Sequence, residues 1–193
     1  MMDAFIAPPN KIPFYIRLGV WWAKHTTGKE MLIGKLLAWY PRAAISSGIL
    51  ESLIAHDEPD VNERMLKLVR LQASFAVACP FCIDMNAHEY AQQGITSDEI
   101  TAMRGQIDPG SVSTFSTRER LALEYTKCIS QTPLKFMPAL IDQLGQNFSE
   151  REIVIIATTA AQVNYWARLI QALGVPTVGF SNSSLGGLDG YLQ

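Results

Sequence analysis

Two thiols three positions apart, Cys79 and Cys82, are the residues of this chain best suited to chemistry. They lie in the stretch CPFCIDMNAHEY, residues 79–90, with His88 six positions past the second sulfur. That spacing serves a dithiol redox pair, half of a metal site, or two small hydrophobes in a core. A structural zinc site needs four ligands, and the sequence has neither a second CxxC nor an HxxxH pair. The remaining sulfur and imidazole groups, Cys128, His25, His56 and His88, show no ligand-like spacing. No metal and no bound cofactor is therefore expected. Pro80 suits the first turn of a helix, where a missing amide proton costs nothing. A helix opening there puts Cys79 near the N-cap and Cys82 at the third helical position, within the positive end of the helix, where a thiol ionises more readily. This favours the redox reading over two packed hydrophobes.

The elements that must position the pair read as helices. Asp60 with Glu63, Thr96 with Glu99, Ser116 with Glu119 and Ser149 with Glu152 each match the capping box, in which a cap oxygen and a carboxylate three residues on satisfy each other's free amides. From Val61, the apolar residues Met65, Leu68, Val69, Leu71, Phe75 and Ala76 follow helical rather than alternating spacing. Further helices are expected around Glu30 to Trp39, Arg42 to His56, Met137 to Leu144, and Glu150 to Leu173, the last stopped by Gly174 with Pro176 beyond. The fold class is all-α, a single domain over 1–193. Residues 1–27 form an N-terminal arm or helix and 177–193 an irregular Gly/Ser-rich tail. The capped apolar helices of the two halves suggest a duplicated helical unit.

Composition bounds the rest. Hydrophobic residues at 48% and charged residues at 18% of 193 describe a globular chain with a sizeable core. A formal net charge of -2 is not the basic footprint of a nucleic-acid binder. Three cysteines, two of them adjacent in space by necessity, are not a secreted disulfide framework. Asp3 and the lack of a basic start argue against a signal peptide, and the run Ile12 to Ala23, broken by Arg17, is too short to span a bilayer. A cytoplasmic protein without a membrane span is expected. Trp21 and Trp22 are neighbours, so on a helix only one is expected to turn inward, leaving the arm as a subunit contact or a first core helix.

The CxxC helix start, followed by FSTRERLALEYTKCISQTP and FSEREIVIIATTAAQVNYWARLIQALGVP, resembles the carboxymuconolactone decarboxylase superfamily in its alkylhydroperoxidase D-like branch. The resemblance runs from about Leu37 to Pro176 and is carried also by Glu152, Val154, Asn164, Arg168, Leu169, Ala172, Leu173 and Gly174. It implies an all-helical homo-oligomer (dimer, trimer or hexamer) that reduces a small-molecule hydroperoxide, drawing electrons from an external thiol or protein reductant. By the same resemblance Cys82 attacks the peroxide and Cys79 resolves the sulfenic acid as a disulfide.

The branch also implies a proton relay of a histidine four residues after the second cysteine and a glutamate twelve before the first. Here those positions hold Asn86 and Lys67. Asn86 shares a helical face with Cys82, but an amide takes no proton at neutral pH. His88 lies about 120° off that face. Glu89 returns to it two turns on, and Glu63 lies one turn before the expected glutamate. Lys67 and Arg70 offer positive charge that favours a thiolate. Cys128, among apolar residues, reads as core, and Gln162, Asn164, Tyr165 and Arg168 as polar groups bonded within helix packing or lining a pocket. Two alternatives stand beside the peroxidase: a lactone decarboxylase using acid/base groups in an apolar pocket, and a non-catalytic helical oligomer whose relay is lost.

Overall fold

The computed structural model of the chain describes residues 4–52 and 60–181. His56, the expected helix end beside it, and the tail beyond residue 181 lie outside the described residues. Nine α-helices and no strand occur among the described residues: α1 Phe14–Thr27, α2 Leu32–Leu36, α3 Pro41–Ser52, α4 Glu63–Ala76, α5 Pro80–Asn86, α6 Ser97–Met103, α7 Thr117–Ile129, α8 Pro138–Asn147 and α9 Glu150–Ala172. The all-α expectation holds. The helix expected over Glu30 to Trp39 is shorter, α2 passing into a 3-10 turn at Leu37–Trp39.

Three of the four capping boxes form in full, at Thr96/Glu99, Ser116/Glu119 and Ser149/Glu152, opening α6, α7 and α9. The fourth does not. Asn62 caps α4 instead, its Oδ1 accepting from the Met65 amide at 2.8 Å, and Asp60 accepts from Arg151 Nε at 3.1 Å. Asn62 offers the same kind of oxygen two residues nearer the apolar run, so the helix starts there. Gly174, at φ 64°, follows the C-cap Leu173 of α9, as its place in the sequence suggested.

The core is organised around α4. Its residues Leu68, Leu71 and Phe75 pack with Ile83, Ile95, Ile100 and Phe115, while Met65, Leu66 and Val69 pack with Leu121, Leu144, Ile156 and Ala160. A helix buried on both sides exposes little of its polar surface, so its charged side chains must find partners inside the protein. Arg64 shows how. Its Nη2 donates to Glu99 Oε1 at 2.5 Å, its Nε to Glu119 Oε1 at 2.7 Å, and its Nη1 to the Gly94 carbonyl, joining α4 to α6, α7 and the turn between α5 and α6. Glu99 is fully buried. Burial pushes its carboxyl up, and Arg64, the Thr96 amide and Thr114 together bring it below the ordinary carboxylate range. Removing one partner from such a pair strands a buried charge, at a cost of about 3–5 kcal/mol.

Among the described residues only α9 is long and apolar enough to cross a membrane by length and composition, and it packs on α4 and α7 as a core helix. The N-terminal segment behaves differently. Trp21 and Trp22 are 59% and 63% exposed, so neither turns inward, and Trp21 stacks on His25 instead. The inward position of α1 is taken by Ile16.

Candidate functional site

Cys79 and Cys82 meet at the start of α5, and both are essentially buried. Cys79 is the N-cap, Pro80 the first helical residue and Cys82 the third, as the spacing predicts. The cap is a sulfur: Cys79 Sγ accepts from the Cys82 amide at 3.3 Å. This has a consequence opposite to the expectation that the helix start favours a thiolate on Cys82. The neighbouring Cys82 thiol lowers the Cys79 pKa, burial raises it, and the amides of Cys82 and Phe81 lower it again, leaving that thiol more acidic than usual. Cys82 is pushed up, first by the neighbouring Cys79 and then by burial. The N-cap position, not the third helical position, is where the free amides converge.

Around the pair lies an apolar wall of Ile33, Leu36, Phe81, Ala167, Ile170 and Val175, with Trp166 and Val178 packed against it. The expected relay positions are occupied elsewhere. Asn86 is buried, its Nδ2 donating to Ser74 Oγ at 2.9 Å, and Ser74 Oγ donates to the Arg70 carbonyl at 2.7 Å. Lys67 Nζ donates to the His88 carbonyl at 2.7 Å. Burial lowers the Lys67 pKa, Arg70 adds to that, and Glu89 opposes it. Glu63 is exposed in the first turn of α4. The His88 side chain is 47% exposed, and its Nδ1 pairs with the Phe180 carbonyl at 2.8 Å. Glu89 is not on the Cys82 face, because α5 ends at Asn86 and Glu89 adopts a left-handed conformation, φ 54°. Cys128 packs in the separate cluster with Ile156 and Leu121, away from the pair.

The polar residues of α9 bond within the packing. Asn164 Nδ2 donates to Ser130 Oγ at 2.9 Å, Tyr165 Oη pairs with Ser47 Oγ at 2.7 Å, and Arg168 is exposed. Gln162 leads to a carboxylate that sequence reasoning missed. Glu51, at the end of α3, accepts on Oε2 from both Gln162 Nε2 and Trp166 Nε1, each at 2.8 Å. Burial lowers the pKa of Arg70, and the Glu51 charge partly restores it. The charge of Glu51 thus reaches Arg70 on α4, and Trp166 connects Glu51 to the thiol wall.

A second missed residue is Asp84, buried on α5. Its Oδ2 accepts from the amides of Gly179 and Phe180 at 2.8 and 3.0 Å, and its Oδ1 from the amide and hydroxyl of Ser181 at 2.8 and 2.9 Å. Lys29 Nζ adds bonds to the carbonyls of Val178 and Gly179. The segment that follows α9 is therefore strapped over the cysteine helix, with Val175 and Val178 against the thiol wall. Neither residue carried a sequence signal, since each finds its partners about 95 or more positions away.

A segment held over the thiol wall in this way should limit access to the sulfurs. Asp84→Ala strands its amide donors, at about 1–3 kcal/mol, and since 1.4 kcal/mol is tenfold in an equilibrium, Cys79 and Cys82 should react with a bulky disulfide reagent roughly tenfold faster or more. An unchanged rate in a folded variant would show that the strap does not limit access. Burial pushes the Asp84 carboxyl up, and its hydrogen bonds to Ser181, Phe180 and Gly179 outweigh this, so its folded pKa lies below the unfolded value of about 3.9. The clamp contributes fully above that unfolded value and is lost as pH falls through the lower folded one. Thiol reactivity corrected for thiolate fraction should rise only at strongly acidic pH.

No protein-family model matches the chain. The uncharacterised protein YnjA of Escherichia coli (strain K12) is 26% identical over 181 residues, spanning 90% of this chain and 94% of that protein. The debrominase Bmp8, as a cysteine-to-alanine variant in complex with 2,3,4-tribromopyrrole, matches with a TM-score of 0.78 at 16% identity, covering 98% of both chains. A peroxidase-related protein of Ralstonia eutropha JMP134, described as an alkylhydroperoxidase AhpD core, matches with a TM-score of 0.76 at 14% identity, covering 93% of this chain and 95% of that one. The chain shares the all-helical fold of these alkylhydroperoxidase D-like proteins.

Proposed function

We propose that the protein is a dithiol oxidoreductase that reduces small hydroperoxides through Cys79 and Cys82. The observation that carries this reading is the CxxC pair at the start of α5, whose Cys79 sulfur caps the helix, accepts the Cys82 amide and is held more acidic than an ordinary thiol. In each cycle two thiols become a disulfide while ROOH becomes ROH and water, and an external thiol or protein reductant returns the two electrons. The apolar wall of Phe81, Ala167, Ile170 and Trp166 suits an organic hydroperoxide better than a charged one. The side chains at the relay positions, Asn86 and Lys67, are engaged with Ser74 and the His88 carbonyl, so the reaction's protons must come from the pair itself or from solvent.

The debrominase likeness supports a second reading, in which the pair reduces a small halogenated aromatic compound and releases halide. The two readings share a dithiol and differ in the electrophile. Purified protein supplied with dithiothreitol should consume cumene hydroperoxide faster than a Cys79→Ser/Cys82→Ser double variant does. If it matches the double variant there but releases bromide from a bromopyrrole, the second reading replaces the first.

We propose also that the chain works as a homo-oligomer. Phe14, Leu18, Trp21 and Trp22 on α1, with Ile45 and Ile49 on α3, are each at least half exposed, apolar side chains that a subunit contact would cover. Light scattering should return a multiple of the 21.4 kDa chain mass, and a single-chain mass at micromolar concentration would refute this.

A further inference from the structure

The peroxidase reading leaves a gap: the positions that would deliver protons to and from Cys82 hold Asn86 and Lys67, and both side chains are engaged with other groups. The geometry of the pair itself fills it. Cys79 Sγ caps α5 and accepts the Cys82 amide at 3.3 Å, so a thiolate on it is met by a backbone donor. Charge is best held on the sulfur at the cap, and the thiol three residues on, inside the helix, keeps its proton.

We infer, resting on the peroxidase reading above, that the roles of the two cysteines are reversed relative to those the family resemblance implies: Cys79 attacks, and Cys82 is both the proton donor and the resolving thiol. The pair is then its own relay. The Cys79 thiolate attacks the terminal oxygen of ROOH, the O–O bond breaks, and the departing alkoxide takes the proton of the Cys82 thiol to leave as ROH. Cys79 is now a sulfenic acid and Cys82 a thiolate, freed of its proton at the moment it is needed. Cys82 attacks the Cys79 sulfur, the S–S bond forms, and hydroxide leaves to become water with a proton from solvent. One thiolate, one thiol and one hydroperoxide become a disulfide, an alcohol and hydroxide, with charge and atoms conserved. No third titratable residue is required, which removes the need for the missing histidine and glutamate.

The assignment explains why Asn86 is tolerated. On the family order, an amide four residues after the attacking thiol removes its base; on the reversed order, Asn86 only fixes α5 to Ser74 on α4. It also gives the cap sulfur a task that a serine or aspartate cap would not perform.

The test uses two single variants and the unaltered protein. Cys82→Ser keeps a hydroxyl donor beside Cys79, and should yield, on treatment with cumene hydroperoxide and dimedone, a sulfenic acid adduct on Cys79. Cys79→Ser removes the charged sulfur, and its adduct on Cys82 should form at least about tenfold more slowly, in line with the loss of thiolate. Rapid labelling of Cys82 in Cys79→Ser, with little on Cys79 in Cys82→Ser, would overturn the inference and leave the peroxidase reading intact. A peroxide-free arm covers variants that fail to fold: limiting iodoacetamide on the reduced wild-type protein should alkylate Cys79 ahead of Cys82, and the opposite order would overturn the inference. Preferential alkylation of Cys79 without any peroxide reaction would uphold the order of the thiols and sink the peroxidase reading instead.

Discussion

A helix packed on nearly all sides cannot leave its polar side chains to water, and α4 is such a helix. Burying a polar group without a hydrogen bond costs several kcal/mol on apolar reference scales, so the polar residues that α4 buries must be met by other elements. Arg64 meets Glu99 and Glu119, Lys67 meets the carbonyl after α5, Ser74 meets Asn86, and Arg70 faces the charge of Glu51. These contacts fix α3, α5, α6 and α7 around α4. The apolar residues between them supply the drive to collapse, but they do not dictate where each neighbour stops along the axis. The polar set does.

The thiol pair inherits its geometry from this arrangement. Asn86 and Ser74 hold the far end of α5 against α4, and Asp84 holds the middle of α5 under the segment that follows α9. The near end is then free to be capped by a sulfur, and Cys79 takes that place. Burial protects both thiols from unspecific oxidation but also from substrate. The strap, fastened by polar bonds to Asp84, His88 and Lys29, is more easily released than the helices packed beneath it. A chemistry that needs a dry dithiol and intermittent access fits this construction.

Much of the fold was legible in the sequence because its signals are local. The cap residues Thr96, Ser116 and Ser149 reach only three positions along the chain, and all three boxes form. Asp60 misled because Asn62 carries an equivalent oxygen closer to the apolar run. The start of α5 was legible from Pro80, yet the same local reading favoured Cys82 as the thiolate, since it weighed the helix field and not which atom accepts the free amides. Glu89 leaves the helical face on which periodicity places it, because the left-handed turn that ends α5 cannot be seen from that periodicity. Glu51 and Asp84 were out of reach, since their partners lie on α9 or beyond it and only the folded chain brings them together.

The central claim is that Cys79 and Cys82 cycle between dithiol and disulfide. The most direct measurement is peptide mapping of the reduced protein after one equivalent of hydroperoxide, with free thiols blocked before digestion. The account predicts a bridge between Cys79 and Cys82 and a blocked, unoxidised Cys128, which packs in a separate cluster. A bridge that includes Cys128, or three blocked thiols after exposure to peroxide, would contradict it.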